Sequence, residues 1–464
     1  MTTIEVLDPA TRERIGSVPQ AATPDVDRAV AAAAAAFESW SRVPVVERAR
    51  AMFRFADGLE RRREDLARSV SRENGKTLAD ARAEVRRGIE AVEFACGMPT
   101  LLMGDALPDV ARGVDCTSVR YPLGVCAGIT PFNFPAMIPL WMVPIALAAG
   151  NTFVLKPSPQ TPLTAQTIFD VAQSCDLPHG VLHVVHGGAE TVAALIDHPS
   201  VAAVSFVGSS AVARAVQERA VRNHKRVQAL GGAKNYLVVM PDGVTPATVD
   251  AVMSSAFGGA GQRCLAGSVA IAVGDAGERL APMLAGAARA LRLGRGLDED
   301  VEMGPVISDD AIARIDAYVR RATAAGATML CGDVDADRRA GCFVSPVVFD
   351  HVDPASELAR EEVFGPVLAI VRAPSLESAI AIANASRYGN ASSIFTADGG
   401  AARAFASRIA VGMVGVNIGV AAPMAFFPFG GVKDSIFGDL RCHGKDSVAF
   451  YTQQRVVISR WPTA

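Results

Sequence analysis

The sequence predicts an α/β protein built on a doubly wound, Rossmann-type parallel sheet. Three observations carry that reading: short apolar runs alternating with helix-length segments, a mainly helical first hundred residues, and a second strand-and-helix series in the C-terminal half. The runs are residues 124–129, 152–155, 181–185, 203–207 and 236–240. Continuous apolar runs of this length suit strands buried on both faces, and the segments between them suit crossover helices.

Taken in order, Thr23-Pro24-Asp25 supplies a capping residue, a proline for the first turn and an early acid, and the alanine run to Phe37 propagates a helix. Residues 45–72 mix apolar and charged side chains at helical spacing. Asn74-Gly75-Lys76 then punctuates the pattern before a further helix over 78–96. The most apolar stretch, residues 135–150, is shorter than a membrane span and carries Pro139 and Pro144, so it predicts a buried helix. Residues 268–273 and 367–371 predict strands of a second sheet, which sets Cys264 near a domain junction. Residues 117–121 and 447–452 also read as strands. No solenoid repeat interrupts the chain.

At 464 residues, half of them apolar, the chain is long enough for two to four domains meeting at a cleft. A formal net charge of -3 provides no basic field, and the arginines of residues 42–87 interleave with glutamates, so nucleic acid is not an expected partner. The eight cysteines form no C-x-x-C pair and the seven histidines do not cluster. Neither a metal cage nor a disulfide framework is expected, and a reduced compartment is the simpler inference. Met1-Thr2-Thr3-Ile4-Glu5-Val6 lacks the features of a signal peptide, so the expected location is cytoplasmic with no membrane partner.

The candidate chemistry centres on Phe257-Gly258-Gly259-Ala260-Gly261-Gln262-Arg263-Cys264. A cysteine among small residues is open to close approach, and a neighbouring positive charge favours the thiolate that attacks carbonyl carbons. Most cysteines are packing residues, so Cys264 has to be judged by its company. The strand over 203–207 runs into Gly208-Ser209 and a helix, where backbone N–H groups and the dipole suit a phosphate, although no G-x-G-x-x-G accompanies them. Thr130-Pro131-Phe132-Asn133-Phe134-Pro135 fixes an amide, Asn133, that could donate to an oxyanion. Lys156 follows a strand at the carboxyl edge of the sheet, within reach of a ribose or phosphate. Glu361-Glu362-Val363-Phe364-Gly365-Pro366 offers a carboxylate for a ribose and a ring for a flat cofactor. Each motif alone has an ordinary reading as turn, cap, surface or core.

In this order the motifs resemble the aldehyde dehydrogenase superfamily over essentially the whole chain. The likeness is greatest to its coenzyme A-acylating methylmalonate-semialdehyde branch. Residues 130–142, Gly232-Ala233-Lys234-Asn235, Met240-Pro241-Asp242, Gly261-Gln262-Arg263-Cys264, residues 433–440 and Gly444-Lys445 carry it. The resemblance implies Cys264 as nucleophile, with Asn133 and the Cys264 backbone N–H as oxyanion hole. It implies Glu362 and Phe364 beside a nicotinamide ribose, Lys156 on the adenosine ribose, Gly208 and Ser209 at the pyrophosphate, and Thr130, Pro131 and Phe132 lining the cofactor cleft. NAD is then the expected cofactor and coenzyme A the cosubstrate. A carboxylate-bearing aldehyde calls for an arginine fork, with Arg263 first and Arg87 second.

The implied architecture is a dinucleotide-binding domain from residues 1–107 and 123–232 and a catalytic domain over 233–432. Residues 108–122 and 433–464 would bridge subunits of a homodimer or homotetramer. Hydrolytic members carry a water-activating glutamate just before Leu-Gly-Gly, whereas Ala229 precedes Leu230-Gly231-Gly232 here. That absence favours acyl transfer to coenzyme A, since a thiolate needs no such base. The alternative is an aldehyde dehydrogenase of other substrate range that releases a free acid. Pro159 stands where many NAD-using relatives have a glutamate, which leaves NADP open. Ala213 replaces a usual glycine, and residues 419–427 depart from the pattern of the methylmalonate branch.

Overall fold

A computed structural model describes residues 2–332 and 341–461. The ends of the expected segments at Met1 and 462–464 lie outside the described residues. Two large sheets organise the chain. The first has six strands in the order Ile436–Phe437, Arg226–Leu230, Val201–Val207, Val125–Ile129, Thr152–Lys156, Leu182–Val184. All its pairings are parallel except that of Ile436–Phe437, which runs antiparallel along Arg226–Leu230. Helices cover both faces, and successive residues of Val125–Ile129 divide between two cores. Cys126 joins the layer of Trp141, Leu147 and Phe153, while Val125, Ala127 and Ile129 join that of Val30, Val154 and Phe206.

The second sheet has seven strands, in the order Thr328–Cys331, Val347–Asp350, Val367–Ala373, Gly267–Val273, Asn235–Val239, Ala391–Phe395, Met413–Val416. The chain crosses from the first sheet to the second through Gly231-Gly232-Ala233-Lys234. Helix Met137–Ala148 is buried from Ile138 through Ala148, matching the apolar stretch that predicted it. No helix among the described residues is long and apolar enough to cross a membrane.

Four local readings change. Thr23 is the first helical residue of Thr23–Trp40 rather than its cap; the Asp25 carboxylate instead accepts the Ala22 N–H at 2.8 Å. The helical stretch 45–72 is two helices, Val45–Arg61 and Arg63–Asn74, broken at Arg62. Residues 447–452 are not a strand. Gly444, Ser447, Val448 and Tyr451 are buried at helical spacing, and the segment forms helix Gly444–Phe450. The strand comes after it, as Thr452–Arg460, and pairs along all of Val114–Pro122 in a three-stranded sheet with Ala106–Ala111. Finally, Ile436–Phe437, within the segment expected to bridge subunits, lies on the edge of the six-stranded sheet because it pairs with Ala229 and Leu230.

Candidate active site

Cys264 follows a tight turn at the end of helix Pro246–Phe257 and precedes strand Gly267–Val273. Gly259, Ala260 and Gly261 all have left-handed backbone, with φ of 57°, 52° and 69°. A Cβ at Gly261 would stand 2.2 Å from the Gly365 carbonyl oxygen, so only glycine lets these segments pack. The glycines therefore serve the turn and its packing on Gly365. The Cys264 carbonyl accepts from Asn235 Nδ2 and Asn390 Nδ2, both at 2.9 Å, which fixes the residue from beneath.

The Cys264 side chain borders two cavities. One, of about 290 Å³, is lined by Pro131, Phe132, Asn133, Gly208, Ser209, Gly232, Arg314, Glu362 and Phe364 as well as Cys264. The other, of about 260 Å³, is lined by Asp80, Glu84, Arg87, Phe134, Trp141, Arg263, Phe429 and His443 among others. The first brings together eight of the twelve site residues expected from sequence, Cys264 included. Thr130 and Lys156 lie behind it, at the paired ends of their strands. The Thr130 N–H donates to the Lys156 carbonyl at 3.1 Å, and Lys156 Nζ donates to the Gly187 carbonyl at 2.9 Å. Arg263 and Arg87 line the second cavity.

Asn133 Nδ2 donates to the Gln262 carbonyl at 3.0 Å, which uses one of the two amide hydrogens. The second is available to the cavity that Asn133 shares with Cys264. Ser209 caps helix Ser210–Arg222 with its backbone alone, leaving its hydroxyl beside the free N–H groups of the first turn. Glu362 accepts the Ala233 N–H at 2.9 Å, and a Cβ on Gly232 would fall 2.3 Å from its other oxygen. Burial pushes the Glu362 carboxyl up to about 7. The cavity thus combines a helix N-terminus, a buried carboxylate and the phenyl rings of Phe132 and Phe364, 5.9 Å apart and edge to face, which are the features that suit a phosphate, a hydroxyl pair and a flat ring.

The electrostatics reverse one expectation. Burial first, and then the Glu362 charge, push the Cys264 thiol up to about 12; the backbone N–H groups of Cys264 and Leu265 and the Arg263 charge offset this only in part. Arg263 is a weak activator because Nη2 is spent on Asp80, 2.6 Å away. Arg87 is less committed. Its guanidinium donates to the Met424 sulfur at 3.1 Å and the Ala422 carbonyl at 3.4 Å, and lies 3.5 Å from Glu90.

Ala229 and Leu230 also differ from expectation. Neighbouring strand residues face opposite ways, and Ala229 packs into the layer of Val204 and Phe206, on the far face of the sheet. Leu230 belongs to the cluster against which Cys264 packs. Ala229 and Leu230 thus face opposite sides of the sheet, and neither position supplies a carboxylate.

Several residues of the site carried no signal of their own in the sequence. Asn390 holds the Cys264 carbonyl together with Asn235 of the Gly232-Ala233-Lys234-Asn235 motif, and Arg314 lines the first cavity. His443 lines the second, edge-on to Trp141 at 4.3 Å, and neither ring nitrogen has a hydrogen-bond partner among the described residues. Burial holds that imidazole down to about 3, so it is neutral. No group of three metal-ligating side chains occurs among the described residues.

Known proteins resemble the chain along its whole length. The model of the aldehyde dehydrogenase family matches residues 1–457. Malonate-semialdehyde dehydrogenase 1 of Geobacillus thermodenitrificans is 47% identical over 458 residues, covering 98% of this chain and 95% of the relative. Malonate-semialdehyde dehydrogenase 2 of the same organism is 49% identical, with 98% and 95% covered. The crystal structure of methylmalonate-semialdehyde dehydrogenase from Oceanimonas doudoroffii superposes with a TM-score of 0.98 at 44% identity, covering 100% of this chain and 96% of that one. A structure from Sinorhizobium meliloti 1021, assigned to the same enzyme and complexed with NAD, also reaches 0.98 at 41% identity, with 100% and 95% covered. A family match over residues 1–457 and relatives near half identical along the whole chain lead to one conclusion: the chain belongs to the aldehyde dehydrogenase family.

Proposed function

We propose that the protein oxidises malonate semialdehyde or methylmalonate semialdehyde with NAD and passes the acyl group to coenzyme A. The observation that carries this reading is the position of Cys264 on the wall between a cavity lined by Gly208, Ser209, Glu362 and Phe364 and a second cavity lined by Arg87 and Arg263.

In this reading the thiol of Cys264 gives up its proton to the Glu362 carboxylate across their shared cavity, directly or through water, the thiolate attacks the aldehyde carbon, and the free Asn133 N–H and the Cys264 backbone N–H receive the developing oxyanion. A dinucleotide held by Gly208, Ser209, Glu362 and Phe364 would supply the hydride acceptor, with Lys156 at its adenosine end. Phe132 and Phe364 keep water from that face. The chain's residues then hold a thioester on Cys264, the substrate's carboxylate leaves as carbon dioxide and a proton takes its place on the α-carbon, and the coenzyme A thiol takes the remaining acyl group and releases Cys264. With apolar Leu230 and Ala229 at the strand end, thiol transfer is favoured over hydrolysis.

Arg87 takes precedence over Arg263 for the substrate carboxylate. Arg263 has Asp80 at 2.6 Å, whereas Arg87 is held by longer contacts, to Glu90 at 3.5 Å, the Met424 sulfur at 3.1 Å and the Ala422 carbonyl at 3.4 Å, so the Arg87 fork is the more readily released to pair with two oxygens.

A second reading rests on Glu362, a carboxylate raised to about 7 and bordering the Cys264 cavity, which is a fitting water-activating base. That enzyme would release free acid. The two readings separate in a panel of malonate, methylmalonate and simple aldehydes, each with NAD or NADP and with or without coenzyme A. Acyl-coenzyme A as product, with turnover dependent on the thiol, supports the first. Free acid formed equally fast without coenzyme A rejects it.

Association as a homodimer or homotetramer fits the apolar exposure of the three-stranded sheet, where Val456, Ile458 and Leu107 are 62%, 71% and 59% exposed. The outer strand Met413–Val416 offers a second apolar edge through Val414 and Val416. Light scattering on Ile458→Asp tests this: a smaller species than wild type is expected, and an unchanged mass argues against it.

A further inference from the structure

The buried pair Lys76–Glu84 borders the site, with Glu84 on the wall of the second cavity. Lys76 Nζ and Glu84 Oε2 are 2.6 Å apart, with side chains 5% and 0% exposed. Removing two charges from water is costly, and a buried pair is weak evidence of a stabilising role. What distinguishes this one is where its remaining bonds go.

Lys76 Nζ donates to the backbone carbonyl of Asn133 at 2.7 Å and sits 4.2 Å from the centre of the Phe134 ring. Glu84 Oε1 accepts the N–H groups of Ala136 at 2.8 Å and Met137 at 3.2 Å, where helix Met137–Ala148 begins. Both partners thus grip residues 133–137 and hold them against helix Leu78–Cys96. Asn74, at the end of the preceding helix, adds a bond from Nδ2 to the Phe132 carbonyl at 3.0 Å. On the opposite side Asn133 Nδ2 is tied to Gln262, whose Oε1 accepts the Ile307 N–H at 3.1 Å. The Asn133 amide is therefore held at its backbone from one direction and at its side chain from the other.

We propose that Lys76 and Glu84 are positioning residues that set the Asn133 amide for oxyanion stabilisation; this rests on the oxyanion reading of Asn133 given above. Without the ammonium, the Asn133 carbonyl and Glu84 Oε2 both lose their partner. The loop then relaxes, and the second amide hydrogen no longer points where negative charge develops. Misplacement of a donor by about 1 Å costs on the order of 10²-fold in rate.

The test is a double-mutant cycle read as NADH formation in a single turnover at saturating aldehyde and NAD. Asn133→Ala is expected to slow hydride transfer about 10²- to 10³-fold. Lys76→Met is expected to slow it roughly 30- to 100-fold, with NAD affinity changed less than about 3-fold. In the Asn133→Ala background, Lys76→Met should cost less than about 3-fold more, because the group it positions is gone. Full multiplication of the two effects overturns the positioning role and leaves the oxyanion role standing. An Asn133→Ala variant with the wild-type rate overturns both. Should Lys76→Met not fold, Glu84→Gln, which is isosteric and keeps the acceptor for Ala136, runs the same cycle with the same two outcomes.

Discussion

The two cavities that meet at Cys264 are made of different materials. One takes much of its wall from strand ends and one helix start, with Gly208, Ser209, Gly231 and Gly232 beside Pro131 and Phe132, and adds the side chains of Asn133, Arg314, Glu362 and Phe364. The other is built from side chains of well-separated elements: Asp80, Glu84 and Arg87 on one helix, Trp141 on a second, Phe429 and His443 far along the chain. A backbone-built site recognises what every dinucleotide shares, phosphate charge and ring planarity, and tolerates changes of side chain. A side-chain-built site discriminates among substrates, and single substitutions should alter its choice. Substitutions on each wall therefore test whether the division holds.

The largest effect belongs to the shared wall. Cys264→Ala should lower NADH formation by roughly 10³-fold or more while leaving NAD binding, followed by protein fluorescence, within a few-fold of wild type. Loss of both together would mean that the thiol supports the fold of the dinucleotide side rather than the reaction. Next comes the strand end beneath it. Ala229→Glu drives a carboxylate into an apolar layer with no partner, a cost of about 3 to 5 kcal/mol, read as a falling midpoint in denaturant. Leu230→Glu points to the opposite face, and should raise free-acid release without coenzyme A. If the two variants behave alike, the assignment of faces is wrong.

The same division explains how much the sequence disclosed. Gly208-Ser209, residues 130–133 and residues 361–366 are contiguous, and each follows or adjoins a strand, so the residue types and their order announce the dinucleotide side. Arg87 and His443 are 356 residues apart, and only packing brings them to one cavity. Asn390 donates to the Cys264 carbonyl across 126 positions, with no local pattern to single it out. Lys76 was legible only as part of the helix-stopping Asn74-Gly75-Lys76. Its bond to Asn133 depends on how two helices pack. Strand faces are similarly hidden: register with Phe206 and Val207, rather than composition, sets Ala229 and Leu230 on opposite faces of the sheet. Helix Gly444–Phe450 is a shorter-range failure, since seven residues with apolar Val448 and Phe450 fit alternation as readily as a helical turn.

Substrate discrimination provides the next smaller effect. Arg87→Met should raise KM for malonate semialdehyde about 10- to 100-fold and leave propanal nearly unchanged, as expected when one charge-assisted fork worth roughly 1.5 to 3 kcal/mol is lost. Arg263→Met should affect both aldehydes to a similar degree, because its first loss is the bond to Asp80, which also accepts the Gly259 N–H at 3.0 Å and so holds the nucleophile's turn. Discrimination lost in Arg263→Met and kept in Arg87→Met would exchange the two roles.

The smallest effect is expected at the far end of the backbone-built side, and pH isolates it. Burial lowers the Lys156 ammonium to about 8, so its charge is present at pH 7 and lost as pH rises toward 9. Its Nζ is hydrogen-bonded to the Gly187 carbonyl, so contact with a ribose requires only sharing of its remaining donors. NAD affinity of the wild type should fall about 3- to 10-fold across that interval, as expected when a charged donor becomes a neutral one at a partly buried contact. Lys156→Met should begin at the weaker affinity and show no step near pH 8, with KM for the aldehyde unmoved throughout. A step of equal size in Lys156→Met would assign the titration to another group and remove Lys156 from the dinucleotide side, leaving that cavity to be held by its strand ends and helix start alone.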